Sequence, residues 1–196
     1  MSATMPATMP ATMSAISHAK VLVMATDGFE QSELLVPRDR LRAAHASVHV
    51  ATPGGEAIRG WDEADWGESV PADLAIADVD PDSYDALVLP GGQINPDALR
   101  TNADALDAIR GFARRGKPVA AICHAPWLLI EAGLVEGRRL TSFASIATDM
   151  RNAGAQWVDE AVARDGNLIT SRCPDDLDAF VAAIVGAVEG EAREAA

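Results

Sequence analysis

Cys123 and His124 stand side by side in the segment AICHAP, positions 121–126. A thiolate is a strong nucleophile and an imidazole is a base matched to neutral pH, so the pair has the parts of covalent catalysis. A plainer reading also fits, because free cysteine is often a small buried hydrophobe. Three features favour the nucleophile. Cys123 follows the apolar run Val119–Ile122 and precedes a helical stretch, which puts it at a strand-to-helix turn. The N–H groups that open such a helix favour thiolate. The small neighbours Ala121 and Ala125 suit an elbow that thrusts a side chain out of the sheet, although the strict Gly-x-nucleophile-x-Gly spacing is absent.

No histidine follows His124, so the base for Cys123 is His124 or an upstream residue. His45 and His49 fall at a helix end and in a strand, where surface or packing roles are expected. Two carboxyls, Glu30 and Glu33, stand in DGFEQSELLVP. Glu33 either decorates the first turn of a helix, where negative charge is favoured, or lies beside the thiol. A desolvated glutamate keeps its proton and donates a hydrogen bond to a thiolate or a substrate oxygen.

The elements that would position these groups follow from apolar periodicity. Residues 20–25, 48–51, 85–89, 117–122 and 139–143 read as strands. Residues 32–46 (with Pro37 as an early kink), 102–115, 125–132, 145–153 and 175–188 read as helices. Asp165-Gly166-Asn167 is a hairpin signal between residues 161–164 and 168–170. Residues 52–72, with Trp61 and Trp66, read as a long irregular stretch of the kind that often carries function. Alternating strands and helices predict a parallel sheet covered on both faces, with ligands bound beyond the strands' carboxyl ends. Cys123, the Gly91-Gly92 pair and residues 27–33 all fall at such ends. Gly91-Gly92 without a GxGxxG or Walker pattern is a weak nucleotide signal, and no cofactor is implied.

The bulk properties bound the function. The 196 residues suit one domain, and 16 Lys+Arg against 29 Asp+Glu give a net charge of −13, which argues against a nucleic-acid partner. Cys123 and Cys173 form no disulfide framework and fit a reducing cytoplasm. No Cys or His pair has zinc-ligand spacing, and no apolar run is long enough for a membrane helix. Residues 1–19 repeat a TMPA unit and read as a disordered tail, or as an upstream start with the true one at Met5, Met9 or Met13. Residues 20–190 are then a single domain, with a short tail over residues 191–196.

The ordered set VLVMATDGFEQSELLVP, GWDEADWG, ADVDPDSYDALVLPGGQINPDALR, GKPVAAICHAPWLLIEAGLVEGRRLTSF, NAGAQWVDEAVARDGNLITSR and PDDLDAF resembles the ThiJ/PfpI superfamily, within it the PfpI-type protease and deglycase branch. The resemblance implies a flavodoxin-like three-layer α/β sandwich with a strained cysteine on a nucleophile elbow. It carries the family nucleophile to Cys123, the adjacent histidine to His124 and the cysteine's carboxyl partner to Glu33, four positions before Pro37. Glu30 matches a second acidic position, and backbone N–H groups of Gly92 and His124 would form the oxyanion site. The branch draws an acid for the histidine from a neighbouring subunit, just after the Gly-Gly loop. That position is Asp97, shorter than the glutamate of some members. CHAP replaces the commoner CHGP. Cys173 stands where relatives carry Gly or Asn, and is either inert or a resolving thiol for an oxidised Cys123.

The implied function is a stress-related cysteine hydrolase with peptidase, glyoxalase-like or deglycase activity on a small carbonyl or a modified protein. The alternative is a redox-responsive or chaperone-like protein that uses Cys123 without turnover. A homo-oligomer, at least a dimer, is expected, with the active site and the two Trp of GWDEADWG near the subunit contact.

Overall fold

The structure is a computed structural model that describes residues 15–194. The proposed start codons Met5, Met9 and Met13 and most of the TMPA segment lie outside the described residues. Ala15–His18 already form a single 3-10 turn, with Ile16 buried, ahead of β1 (Lys20–Met24). The chain continues through β2 (Phe29–Glu30), α1 (Gln31–Ala43), β3 (Ser47–Thr52), β4 (Ile58–Asp62), β5 (Asp65–Val70), β6 (Leu74–Ala75) and β7 (Ala86–Leu89). It goes on to α2 (Ile94–Leu99), α3 (Ala103–Arg114), β8 (Val119–Ile122), α4 (Pro126–Glu131), β9 (Arg139–Leu140), α5 (Ala147–Asn152), β10 (Gln156–Trp157), β11 (Val162–Asp165), β12 (Leu168–Ser171) and α6 (Leu177–Glu194). Helix α6 runs past the boundary placed at residue 190.

A seven-stranded sheet has the order β11-β12-β8-β7-β1-β3-β6, parallel throughout except for β11 against β12. Its central strands β7 and β8 are apolar end to end because both faces are covered. Within β1 the two-residue period splits the side chains cleanly. Val21 and Val23 pack with Leu34, Leu41, Phe180 and Ile184 of α1 and α6, while Leu22 and Met24 pack with Ile109, Phe112 and Leu128 on the α3–α4 side. This is the expected three-layer sandwich. The chain leaves β1 toward β3 on one side and later returns to β7 on the other, so β1 and β7 flank a topological switch point, where α/β sheets hold their ligands.

Two readings of the sequence need correction. Residues 52–72 are not irregular: β4 and β5 pair as an antiparallel hairpin that joins β2 in a second, three-stranded sheet. Trp61 lies opposite Trp66, with ring centroids 5.6 Å apart and edge-on. A register shift between Arg59 and Trp61 breaks the alternation, and Glu63 takes the left-handed turn position at φ 50° where Gly or Asn would have signalled it. The strand read over residues 139–143 shortens to β9, which pairs in parallel with β10. Helix α2 escaped detection because it is one short turn and a half with Pro96 inside.

Candidate active site

The elbow is built by pinning both peptide groups of Cys123. Its N–H donates to the Ser171 carbonyl at 3.0 Å and its carbonyl accepts from Phe143 N–H at 2.8 Å. Between these anchors Cys123 takes φ 63°, a left-handed conformation that a non-glycine residue adopts at a cost. The bend turns the thiol out of β8 to the end of the sheet, where it is 6% exposed.

Sγ of Cys123 lies 3.1 Å from Nδ1 of His124. The imidazole is itself buried, stacked on Phe143 at 4.9 Å between centroids and edge-on to Trp127 at 5.3 Å. Its Nε2 is 3.0 Å from Oγ of Ser145, a partner the sequence reading missed. Burial pushes the His124 pKa down, so the ring is held toward its neutral form. When the Ser145 hydroxyl donates to Nε2, Nδ1 carries the hydrogen and points it at sulfur. When Nε2 donates, Nδ1 is free to take the thiol proton.

Glu33 comes from the first turn of α1 and is fully buried. Oε2 accepts the Gly91 N–H at 2.8 Å, whereas Oε1 is buried with no partner. Burial first, and the Glu30 charge second, push its pKa up to about 8. It therefore holds a proton at neutral pH, as expected for a desolvated glutamate. Glu30 caps the same helix, with Oε2 accepting from Glu33 N–H at 2.9 Å and from the Ser32 hydroxyl at 2.6 Å. Its position beside the site thus has a structural reason of its own.

The Gly91-Gly92 turn closes the other side. A Cβ on Gly91 would sit 2.6 Å from both Cys123 Cβ and Glu33 Oε2, so glycine is what lets three segments meet. Asn95, fully buried, ties the turn down: its Nδ2 donates to the carbonyls of Pro90 at 2.8 Å and Gly91 at 3.1 Å, and its Oδ1 accepts Thr26 N–H at 2.8 Å. Asn95 was also missed, because an asparagine before Pro96 reads only as a turn residue. Backbone N–H groups of Gly92 and His124 hydrogen-bond toward the sulfur and favour its charged form.

The electrostatics of the thiol depart from the expectation of a helix-stabilised thiolate. Burial pushes the Cys123 pKa up, with the Glu33 charge adding to it, and the two N–H donors offset only part of this. The helix that follows is only six residues long and its dipole is correspondingly weak. A protonated Glu33 withdraws its own repulsion and offers an O–H in its place, so the thiol and the carboxyl together carry at most one negative charge near neutrality.

Asp97 does not join this group within one protomer. It is exposed on α2, in a shallow groove with Gln93, Ile94 and Trp127. Cys173 caps the 3-10 turn Pro174–Asp176, and its Sγ lies 3.7 Å from Asp176 Oδ2. The next residue, Pro174, reaches the wall of a pocket of about 460 Å³ over Cys123, whose mouth also includes Trp61, Glu63, Ile94 and Phe143.

The DJ-1/PfpI family model matches residues 19–187, a span that includes every residue of this site. The chain belongs to the DJ-1/PfpI family. It is 44% identical over 162 residues to Deglycase TK1284 of Thermococcus kodakarensis, covering 83% of this chain and 95% of that one. It is likewise 44% identical over 164 residues to Protein/nucleic acid deglycase 2 of Escherichia coli, covering 82% and 92%. Drosophila melanogaster DJ-1beta superposes with a TM-score of 0.80 at 34% identity, covering 88% of this chain and 91% of that one. Among the described residues no helix is long and apolar enough to cross a membrane.

Proposed function

We propose that this DJ-1/PfpI member is a cytoplasmic, cysteine-dependent hydrolase that acts on a small carbonyl compound or on a carbonyl-modified protein side chain. The observation that carries the reading is the 3.1 Å contact between Cys123 Sγ and His124 Nδ1 at a left-handed turn beneath two convergent N–H groups. The deglycase names of two relatives support the reaction class. In this reading His124 takes the thiol proton as sulfur adds to the carbonyl carbon. The carbonyl electron pair moves to oxygen, which the Gly92 and His124 N–H groups receive. The attacked carbonyl is the aldehyde that a hemiaminal adduct yields as it frees its amine. His124 returns the proton to the oxyanion, and transfer of hydrogen from the hemithioacetal carbon to the neighbouring ketone carbon through an enediol gives a hydroxyacyl thioester. Water hydrolyses that to a hydroxy acid and restores the thiol. Glu33, protonated, donates to sulfur or to the substrate oxygen. The test is consumption of methylglyoxal-modified amino acids with release of the free amine. Loss of turnover in Cys123→Ala and His124→Ala is expected, and turnover that survives Cys123→Ala rejects the reading.

A redox-responsive or chaperone-like stress protein is the second reading, favoured by the buried Glu33 carboxyl that interacts with the thiol and can donate its proton to an oxidised sulfur oxygen. It predicts stoichiometric thiol loss and no catalytic cycling. Assembly belongs to the proposal as well: a homo-oligomer, at least a dimer, in which Asp97 reaches the site of a neighbour. The exposed Asp97 and Ile94 beside Trp127 are compatible with such a contact. Light scattering that gives a monomer at micromolar concentration would remove that role for Asp97.

A further inference from the structure

We propose that the pocket over Cys123 sorts its reactants by charge, admitting cationic and neutral electrophiles and turning anionic ones away, with Glu63 setting the preference. The proposal deepens the hydrolase reading and takes from it only the meaning of the selection.

Three glutamates, Glu30, Glu33 and Glu63, line the pocket, and no lysine or arginine does. The arginines on the segments that feed the pocket are committed elsewhere. Arg59 donates to the carbonyls of Trp66 and Gly67. Arg172 is clamped between Asp159 and Asp176. Arg100 pairs with Glu131 and lies over the Trp127 ring. His124 is held toward neutral by burial. With Glu33 protonated at neutral pH, the carboxylates of Glu30 and Glu63 have no counter-charge among the lining residues, and low-dielectric walls make each felt further than in water.

Glu63 sits at the β4–β5 tip in the left-handed conformation. Its carbonyl accepts the Trp61 indole N–H at 3.0 Å, which locks the tip to the aromatic wall. Among the described residues no hydrogen bond or ion pair holds its carboxyl. The Glu33 carboxyl lines the same pocket, and its proton leaves it a neutral donor there. Between them, Trp61, Ile94, Phe143 and Pro174 offer an apolar passage for a short alkyl stem. The chemistry that fits is a small electrophile on a short alkyl stem that ends in a cation, and a 2-oxo acid is the chemistry it excludes.

The test uses three methanethiosulfonates, bearing trimethylammonium, methyl and sulfonate ends, on full-length Cys173→Ser protein. Each reaction forms a disulfide at Cys123 and releases methanesulfinate, so it reads access and charge without turnover. The cationic-to-anionic rate ratio is expected to exceed that of a small free thiol by about tenfold at low salt and to shrink as salt is added. Glu63→Gln is expected to lower the ratio at least ~3-fold. Glu68→Gln, the same charge change on the same hairpin but outside the pocket lining, is expected to leave it unchanged. A parent ratio equal to that of the free thiol, or equal effects of the two glutamine variants, overturns the proposal.

Cys123→Ala protein supplies a second readout free of thiol chemistry. Benzamidinium is expected to shift the amide signals of Gly92 and His124 with an affinity that Glu63→Gln weakens, whereas benzoate is not. Benzoate binding as well as benzamidinium overturns the proposal. A thiol silent to all three reagents with the benzamidinium preference intact removes the hydrolase reading and leaves charge selection standing. Turnover without charge preference removes charge selection alone.

Discussion

Cys123 sits in a site that both buries its sulfur and surrounds it with donors, and Glu33 decides how these oppose each other. Because Glu33 holds its proton up to about pH 8, glutamine is a fair mimic of it at neutral pH. The alkylation rate of Cys123 in Glu33→Gln is therefore expected to match the parent below about pH 8. Above it the parent should fall behind, by roughly tenfold near pH 9.5, as ionised Glu33 opposes the thiolate. Iodoacetamide kinetics against pH check this; a gap of constant size from pH 6 upward would show Glu33 ionised throughout. Ser145 acts at the same scale through His124 Nε2. Ser145→Ala is expected to slow alkylation about fivefold at pH 7 and to shift the His124 tautomer balance seen by nitrogen NMR. An unchanged tautomer balance would make Ser145 a bystander.

At the scale of elements, the site exists because three loop ends meet: the start of α1, the turn after β7 and the elbow after β8. Asn95 on α2 ties the turn after β7 to the loop after β1 through three hydrogen bonds, two buried and one part-buried. Asn95→Ala strands the Pro90 carbonyl and the Thr26 N–H and leaves the Gly91 carbonyl only its 3.3 Å bond from Glu30 N–H, and is expected to cost ~2–4 kcal/mol in urea unfolding and to slow alkylation of Cys123. A stability loss below ~1 kcal/mol would mean the turn holds without it. Gly92→Ala is more severe. At φ 78° its Cβ would lie 2.6 Å from the Gly28 carbonyl and 2.7 Å from Glu30 N, backbone atoms that cannot swing aside. Poor folding or a loss of about 3 kcal/mol or more is expected.

For the molecule as a whole, burying Glu33 ties stability to pH in a defined direction. Its folded pKa of about 8 lies above the ordinary value of 4.5, so the folded state binds the extra proton between these limits. Stability contributed by this group therefore falls as pH rises from about 4.5 to about 8 and is level beyond. The parent should lose ground to Glu33→Gln over that window, measured as the difference between their unfolding free energies at pH 5.5 and pH 8.5. Taking the difference cancels the repulsion of the −13 net charge, which both proteins share to within this one group. A gap that stays constant with pH would place the Glu33 proton elsewhere.

Local physical chemistry was enough to read much of this protein. The β-branched runs at β1, β7 and β8 could only be buried strands, their alternation with helices implied a covered parallel sheet, and a cysteine at a strand-to-helix turn could only lie at the sheet's end. The motif order placed the protein in its family. Tertiary structure decided the rest, because the deciding interactions join residues distant in sequence. Glu33 meets the Gly91 N–H across 58 positions, and Thr26 meets Asn95 across 69. Ser145 and Asn95 carry no local signature, since each is an ordinary loop residue until a buried imidazole or a strained turn comes within hydrogen-bond reach. The hairpin that became a pocket wall was hidden by its register shift and by a glutamate at the turn position. The charge state of the thiol was the least legible quantity of all, because desolvation is a property of everything packed around a group and of nothing adjacent to it in sequence.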